Sequence, residues 1–322
     1  MVKLQPEFLL DTTEMREAYC DALIECADAD SRIVTLDCDL QASMGTKRFS
    51  EAFPDRSINV GIQEANACGM AAGLSAAGMI PFFHSFAVFT SRRIYDQLFL
   101  SCAYADLNVK FIGGDAGVCA SVNGGTHMSF EDIGILRNIP GITIIDATDS
   151  VMIRAVTKLM ASHYGVDYMR MPRKQSAKIY EDGTDFKFGK ANILVDGNDV
   201  TIIASGIMVN EALKASQILR ADDISARVID IVTIKPIDCK CIIESAVKTG
   251  AIVTAENHSV VNGLGCSVSA VLSENIPVPQ EYVGVKDLFG EVGSQDYLMK
   301  RFELTSDTIV KKAKVAMQRK TK

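Results

Sequence analysis

The apolar positions of this chain fall into short continuous runs that alternate with longer stretches of helical spacing. Ile33–Leu36, Ile58–Val60, Ile80–Phe83, Val109–Ile112 and Ile142–Ile145 are brief and rich in β-branched or aromatic residues, and they read as buried strands. Gln63–Ala77, Arg92–Ala105 and Ser150–Ala161 lie between them and read as helices. Asp167–Met171 closes this first set. Strands this apolar, separated by helices, predict a parallel sheet covered on both faces. Lys174–Phe188 is then polar, centres on Glu181-Asp182-Gly183 and carries no apolar period, so it reads as a linker. A second set follows, with strands at Val200–Ala204, Ala226–Ile231 and Ala251–Ala255 and helices at Val209–Leu219, Cys239–Lys248 and Leu264–Ser273. Ser306 reads as the N-cap of a last helix. The expected fold class is α/β with two doubly wound domains, over residues 1–178 and 189–322, joined by a linker at 179–188.

Length and charge narrow the function. The 322 residues suit two domains. Thirty-three Lys and Arg face 40 Asp and Glu, a net charge of −7, which argues against a nucleic-acid footprint and against a polybasic membrane anchor. Nine scattered cysteines with no CxxC argue against a disulfide framework or a four-cysteine zinc site, and suit free thiols in a reducing cytoplasm. The acidic N-terminus does not resemble a signal peptide. The uncharged run from Ala65 to Ser91 is long enough to span a membrane. It contains Asn66, Pro81 and His84 and is rich in Gly and Ala, so it reads as a buried helix followed by a buried strand.

Several residues could carry chemistry. Glu64 opens the helix that begins the uncharged run; a carboxyl facing such a layer would hold a proton more tightly through desolvation. The plainer alternative is a helix N-terminal carboxylate in water, stabilised by the dipole. Phe86 and Phe89 form an i,i+3 aromatic pair that suits either a core or the stacking of a flat ring. His127 lies in the glycine-rich Asn123-Gly124-Gly125-Thr126-His127 loop, beyond a strand end where open parallel sheets bind ligands. Arg170 and Arg173 follow another strand and could clamp an anion. Asn262-Gly263-Leu264-Gly265 precedes a helix and is a weak candidate phosphate loop, lacking a full GxGxxG.

Together these residues carry a resemblance. Val60-Gly61-Ile62-Gln63-Glu64-Ala65-Asn66, followed by Gly69-Met70-Ala71-Ala72-Gly73-Leu74, resembles the glutamate segment of transketolases and deoxyxylulose-phosphate synthases. Phe86-Ala87-Val88-Phe89 through Arg92 to Tyr95-Asp96-Gln97 resembles their pyrimidine-stacking segment. Gly124-Gly125-Thr126-His127 with Phe130-Glu131-Asp132 resembles their substrate loop, and Met169-Arg170-Met171-Pro172-Arg173 their RxPR strand end. Val253-Thr254-Ala255-Glu256-Asn257-His258 with Gly263-Leu264-Gly265 resembles their final domain. The match covers nearly the whole chain, in order, but only the back portion of a full-length transketolase. The Gly-Asp-Gly…Asn motif that holds metal and diphosphate is missing, and Gly114-Asp115-Ala116-Gly117 is not that motif.

The resemblance therefore implies the C-terminal subunit of a split transketolase, transferring a two-carbon ketol unit from a ketose to an aldose through thiamine diphosphate. An N-terminal subunit carrying the missing motif would hold Mg²⁺ or Ca²⁺ and the diphosphate, in an α₂β₂ heterotetramer; the lone chain would be inactive. Glu64 is implied as the acid on the pyrimidine ring, Phe86 and Phe89 as its stacking partners, and Leu40 of Asp39-Leu40 as the wedge that bends the cofactor. Arg92 replaces a tyrosine of typical transketolases, as in the deoxyxylulose synthases. Arg16, Ser43 and Arg173 match positions for the substrate's terminal phosphate, and His127 a contact to substrate hydroxyls. Two departures alter the sugar side: Asn123 stands where the family has Asp, and Asp115 where it has His or Arg. They leave open a ketose with another substituent or another anionic group. Two further readings are the E1 β subunit of a 2-oxo acid dehydrogenase and a non-catalytic, partner-binding paralogue. The Thr126-His127 loop and Arg173 weigh against the first; intact Glu64, Phe89 and His127 weigh against the second. His258 receives no role beyond a structural one.

Overall fold

The computed structural model describes residues 2–320. Among the described residues, twelve strands form two sheets. Strands β1 (Ile33–Asp37), β2 (Ser57–Asn59), β3 (Ile80–Phe86), β4 (Lys110–Gly114), β5 (Thr143–Asp146) and β6 (Asp167–Met171) are parallel and belong to the first sheet. Strands β7 (Asn192–Val195), β8 (Val200–Ala204), β9 (Ala226–Asp230), β11 (Ile252–Ser259) and β12 (Gln280–Val285) form the second. The α/β class and the mainly parallel sheets agree with the sequence pattern. The first sheet also takes β10 (Thr233–Lys235) from the second half of the chain, antiparallel to β5, giving the order β10-β5-β6-β4-β3-β1-β2.

The helix Glu64–Ala76 shows how small residues set its place. Glu64, Ala67, Cys68, Ala71 and Ala72 are buried, an i,i+3,i+4,i+7,i+8 stripe that presses on Leu36 and Phe83. Gly69 and Gly73 lie on the opposite, exposed face, with open space around both. They therefore make no helix-to-sheet contact.

Several elements depart from the pattern. The helix expected over 92–105 is broken into a 3₁₀ turn (Arg92–Ile94), a single turn (Tyr95–Gln97) and a π-helix (Leu98–Tyr104). Just before it, Thr90 Oγ1 and Ser91 Oγ donate to the Phe86 and Ala87 carbonyls, diverting the backbone from a regular start. The last helix is capped by Thr305, not Ser306, whose backbone amide is already inside the helix. The pattern marks no helix at Met15–Ala29, yet one forms there and lies along Ser150–Ser162.

The segment expected as a polar linker is built into the seam between the sheets. Ile179, Tyr180 and Phe186 are buried. Asp149 Oδ2 accepts from the Ile179 and Tyr180 amides at 2.8 and 2.9 Å, and the Tyr180 hydroxyl donates to Asp230 at 2.6 Å. Beside it, Arg170 of β6 joins both halves. Its guanidinium donates to Asp132 at 2.8 Å, to Asp146 at 3.1 Å and to the Asn257 carbonyl of β11 at 2.8 Å. Burial works against this charge, but Asp132 and Asp146 outweigh it and hold the Arg170 pKa above its ordinary value. Ser205, just past β8, donates to Asp146 at 2.8 Å. The second sheet runs β12-β11-β8-β9-β7, so its chain path reverses between β8 and β11. The Arg170–Asp146 pair thus sits against the carboxyl ends of those two strands.

Removing one member of a buried ion pair strands its partners, at a cost of about 3–5 kcal/mol. Arg170→Met is expected to lower the unfolding free energy by about that amount, measured by urea denaturation at pH 7.5.

Candidate active site

The carboxyl ends of β1, β3, β4 and β6 share one edge of the first sheet, and the predicted site residues lie in the segments that leave that edge. Asp39 follows β1 with φ of 61°, a left-handed conformation that Asp tolerates, and turns the chain so that half-buried Leu40 follows at the bend. Asn59 Oδ1 accepts from the amides of Asp39 (3.0 Å) and Gly61 (3.1 Å), tying this exit to the turn that leads into Glu64.

Glu64 is 3% exposed. Its surroundings are not uncharged, which corrects the expectation from sequence. Arg93 Nη1 donates to Oε2 at 2.8 Å and Ser85 Oγ donates to Oε1 at 3.2 Å. The Arg93 guanidinium also lies 3.8 Å over the Phe89 ring, while its side chain remains 42% exposed. Phe86 is buried, and His127 meets both rings edge-on, at 5.8 Å from Phe86 and 5.4 Å from Phe89. Arg92 points the other way, to Glu131 at 3.1 Å and the Thr126 carbonyl at 3.5 Å, bracing the substrate loop.

Arg93 thereby tests what this corner accepts. A guanidinium is flat and cationic and presents N–H along its edge. It finds a ring to stack on and a carboxylate to bond. An aminopyrimidine protonated at its ring nitrogen offers the same features. Glu64 and Phe89 thus offer a carboxylate and a ring face of the kind such a pyrimidine needs, and Arg93 occupies both here.

The residues expected on the sugar side also gather. Asp115 follows β4 with φ of 55° and is almost fully buried. Arg173 Nη2 lies 2.8 Å from its Oδ2, and the Arg173 amide donates to Oδ1 at 3.3 Å. Burial pushes the Asp115 carboxyl up to about 6, with Arg173 opposing. The Arg16 amide bonds the Arg173 carbonyl at 3.4 Å. Arg16 pairs with Glu14 at 2.7 Å and donates to the carbonyls of Ala42 (3.0 Å) and Ser43 (3.4 Å). Arg173 also reaches over Phe86, at 6.0 Å from the ring centroid. Asn123 is half-buried, two residues after Ser121, whose φ of 53° and ψ of −118° mark a strained turn. Asn257 of the second domain anchors that loop, accepting from the Val118 amide at 2.9 Å and donating to the Ala116 carbonyl at 3.0 Å.

Two sequence candidates lie elsewhere. Arg170 is consumed by the interdomain pairs and clamps no ligand. The Asn262–Gly265 loop is filled from within, because Glu256 accepts from the Leu264 and Gly265 amides at 2.6 and 2.9 Å. Burial pushes Glu256 up to about 7. His258 is buried behind it; Nδ1 contacts the Ser259 carbonyl at 2.7 Å and Nε2 accepts from the Gly134 amide at 3.2 Å. Sequence reasoning missed Arg93, Ser85, Glu14 and Asn257. Only Arg93 left a signal, as one of the two charges that end the uncharged run. A cavity of about 480 Å³ between Phe8, Gln175, Asn210 and Lys300 includes none of the site residues. Among the described residues, no cluster of three or more His, Cys, Asp or Glu is placed to hold a metal ion, and no helix is long and apolar enough to cross a membrane.

The transketolase pyrimidine-binding domain model matches residues 11–178, and the transketolase C-terminal domain model matches 189–309. The chain belongs to the transketolase family. It is 50% identical to a 6-deoxy-6-sulfo-D-fructose transketolase subunit of Clostridium sp., over 99% of this chain and 97% of that one. It is 37% identical to an apulose-4-phosphate transketolase subunit of Phocaeicola vulgatus, over 92% and 96%. A solved split-gene transketolase, described as an inactive β4 tetramer, superimposes with a TM-score of 0.90 at 40% identity, covering 96% of this chain and 99% of that one. The chain is thus a transketolase-type transferase subunit, and the E1 β reading is not favoured. Transketolases are thiamine diphosphate-dependent.

Beneath this edge, Asp37 accepts from Thr46 Oγ1 at 2.9 Å and faces His84, 3.7 Å away. Burial pushes the Asp37 carboxyl from its usual 3.8 up to about 7 and His84 down to about 3. A raised carboxyl favours the fold below its unfolded pKa and loses that contribution as pH rises through the folded one. Asp37→Asn keeps the shape without the charge. Its melting temperature relative to wild type is expected to climb between pH 4 and pH 7 and to level off above, read by scanning calorimetry across that range.

Proposed function

We propose that this chain is the C-terminal subunit of a split transketolase and provides the pyrimidine and sugar sides of a site completed by an N-terminal subunit. The partner supplies the Gly-Asp-Gly…Asn motif, the diphosphate pocket and Mg²⁺ or Ca²⁺. Two copies of each chain form an α₂β₂ assembly. The exposed small-residue face of the Glu64–Ala76 helix, with Gly69 and Gly73, supports close approach of another subunit. Nine free cysteines, most of them wholly or partly buried, fit a cytoplasmic setting.

Thiamine diphosphate supplies the carbon nucleophile that carries the two-carbon unit. With the cofactor bound and Arg93 displaced, Glu64 would hold a proton at Oε2 facing the pyrimidine ring nitrogen. Phe86 and Phe89 would flank the cofactor's ring, Asp39 and Leu40 would support it from the turn after β1, and Arg92 steadies the loop beside it. His127 bonds the sugar hydroxyls. Asn123 offers an amide where a carboxylate is usual, changing hydroxyl recognition. Arg16, Ser43 and Arg173 receive the far, anionic end of the ketose. The two relatives differ there in name, one a sulfo-sugar and the other a sugar phosphate. Their shared chemistry, a ketose with an anionic end group, is what we carry over.

The observation that carries this reading is the Glu64–Arg93–Phe89 corner. The chain mixed with its N-terminal partner, thiamine diphosphate and Mg²⁺ is expected to transfer ketol units, and the chain alone is not. Glu64→Gln should lower kcat by about 10²–10⁴-fold, the usual worth of a positioned acid. Turnover by the lone chain, or an active Glu64→Gln enzyme, would overturn the reading.

A further inference from the structure

The two arginines at the far end of the site arrive already paired. Arg16 holds Glu14 at 2.7 Å, and Arg173 holds Asp115 at 2.8 Å. Both guanidinium groups remain partly open, with side chains 27% and 24% exposed. Among the described residues, Arg16 Nη2 and Arg173 Nε and Nη1 donate no hydrogen bond to protein. These N–H groups can still donate to an oxyanion. The two positive charges are offset by two carboxylates, and Lys174, exposed next in the chain, adds a single positive charge.

We propose that Arg16, Arg173, Glu14 and Asp115 form a charge-matched subsite for a singly charged tetrahedral end group of the sulfonate class, and that Asp115 is the residue that disfavours a doubly charged phosphate. This rests on the transketolase reading above. Sulfonate and phosphate have the same three-oxygen shape, so a pair of arginines alone does not separate them. Charge does. A phosphate monoester loses its second proton near pH 6 and is mostly a dianion at pH 7.5. A sulfonate carries one negative charge throughout. Asp115 is fixed in place, because its backbone bends at the end of β4 and both carboxylate oxygens face Arg173. Substrate entry does not sweep it aside, and a second negative charge on the ligand meets it at short range in a partly dry site. Glu14 adds a weaker effect from a more open position. Asp115 touches Arg173 rather than substrate, so it is a positioning and specificity residue.

The test uses the reconstituted enzyme at pH 7.5 with two ketohexose donors that differ only at C6, sulfonate on one and phosphate on the other. Hydroxypyruvate, which delivers the same two carbons with loss of CO₂ and has no distant end group, is the third donor. Wild type is expected to favour the sulfonate in kcat/KM by about tenfold or more, the scale of one unscreened charge contact. Asp115→Asn should raise the phosphate-to-sulfonate ratio by about tenfold, through KM rather than kcat. Glu14→Gln should move it the same way by less, and serves if Asp115→Asn does not fold. A wild-type preference for phosphate, or a ratio that neither variant moves, overturns the subsite. Hydroxypyruvate turnover with neither hexose accepted also overturns it while leaving the transketolase reading in place. No turnover of any donor overturns both.

Discussion

A single buried guanidinium governs how the two halves of this molecule meet. Arg170 leaves β6 in the layer that also produces Arg173 and the sugar side of the site, and it spends its donors on Asp132, Asp146 and the backbone of β11. Desolvating that charge is costly, and only near-complete pairing offsets it. The pairing needs β5, β6, the Asp132 helix and β11 in one arrangement. The substrate loop follows from the same arrangement, because Asn257, whose carbonyl receives Arg170, also holds both ends of the Ala116–Val118 turn. The second domain therefore sets the loop that carries Asn123 and His127 without contributing a side chain to the chemistry proposed for them.

At the cofactor corner the design concerns charge more than shape. A buried carboxylate at the head of an uncharged helix and strand needs a partner whenever no cofactor is bound. Arg93 meets that need from a long side chain that is still close to half exposed. A planar cation on Phe89 and a planar ring on Phe89 are alternatives of similar geometry. Arg93 thus keeps Glu64 compensated in the chain by itself.

Much of the architecture was legible because parallel strands buried on both faces are short, apolar and bounded by polar turns. β6 and β8 fall where the pattern put them. The edge strands β7 and β12 were not legible, since their half-exposed residues dilute the apolar signal; β10 is buried but only three residues long and follows closely on β9. The Met15–Ala29 helix does carry an i,i+3,i+4 stripe at Met15, Ala18, Tyr19, Ala22 and Leu23, weakened by its alanines. At the candidate site, residue order along the chain pointed to Glu64, Phe89, His127 and Arg173, which the fold gathers at one edge of the first sheet. It did not reveal their counter-charges. Asp115 reaches Arg173 only through the fold, while Glu14 lies two residues from Arg16, where sequence alone does not show which of the nearby acids turns toward it. The Asn262–Gly265 loop misled for the same reason: its free amides are answered by Glu256, which lies on the preceding strand.

In an open α/β sheet, the crevice where the chain path reverses is the usual place for a small ligand. In the second domain that place lies between β8 and β11, and it is taken by Asp146 and Arg170 of the first. Gly206, just beyond β8, leaves no room for a side chain, because a Cβ there would stand 2.6 Å from Asp146. The second domain behaves as a receptor whose permanently bound ligand is its neighbour. It has exchanged the capacity to recognise a metabolite for a fixed grip on the domain that does.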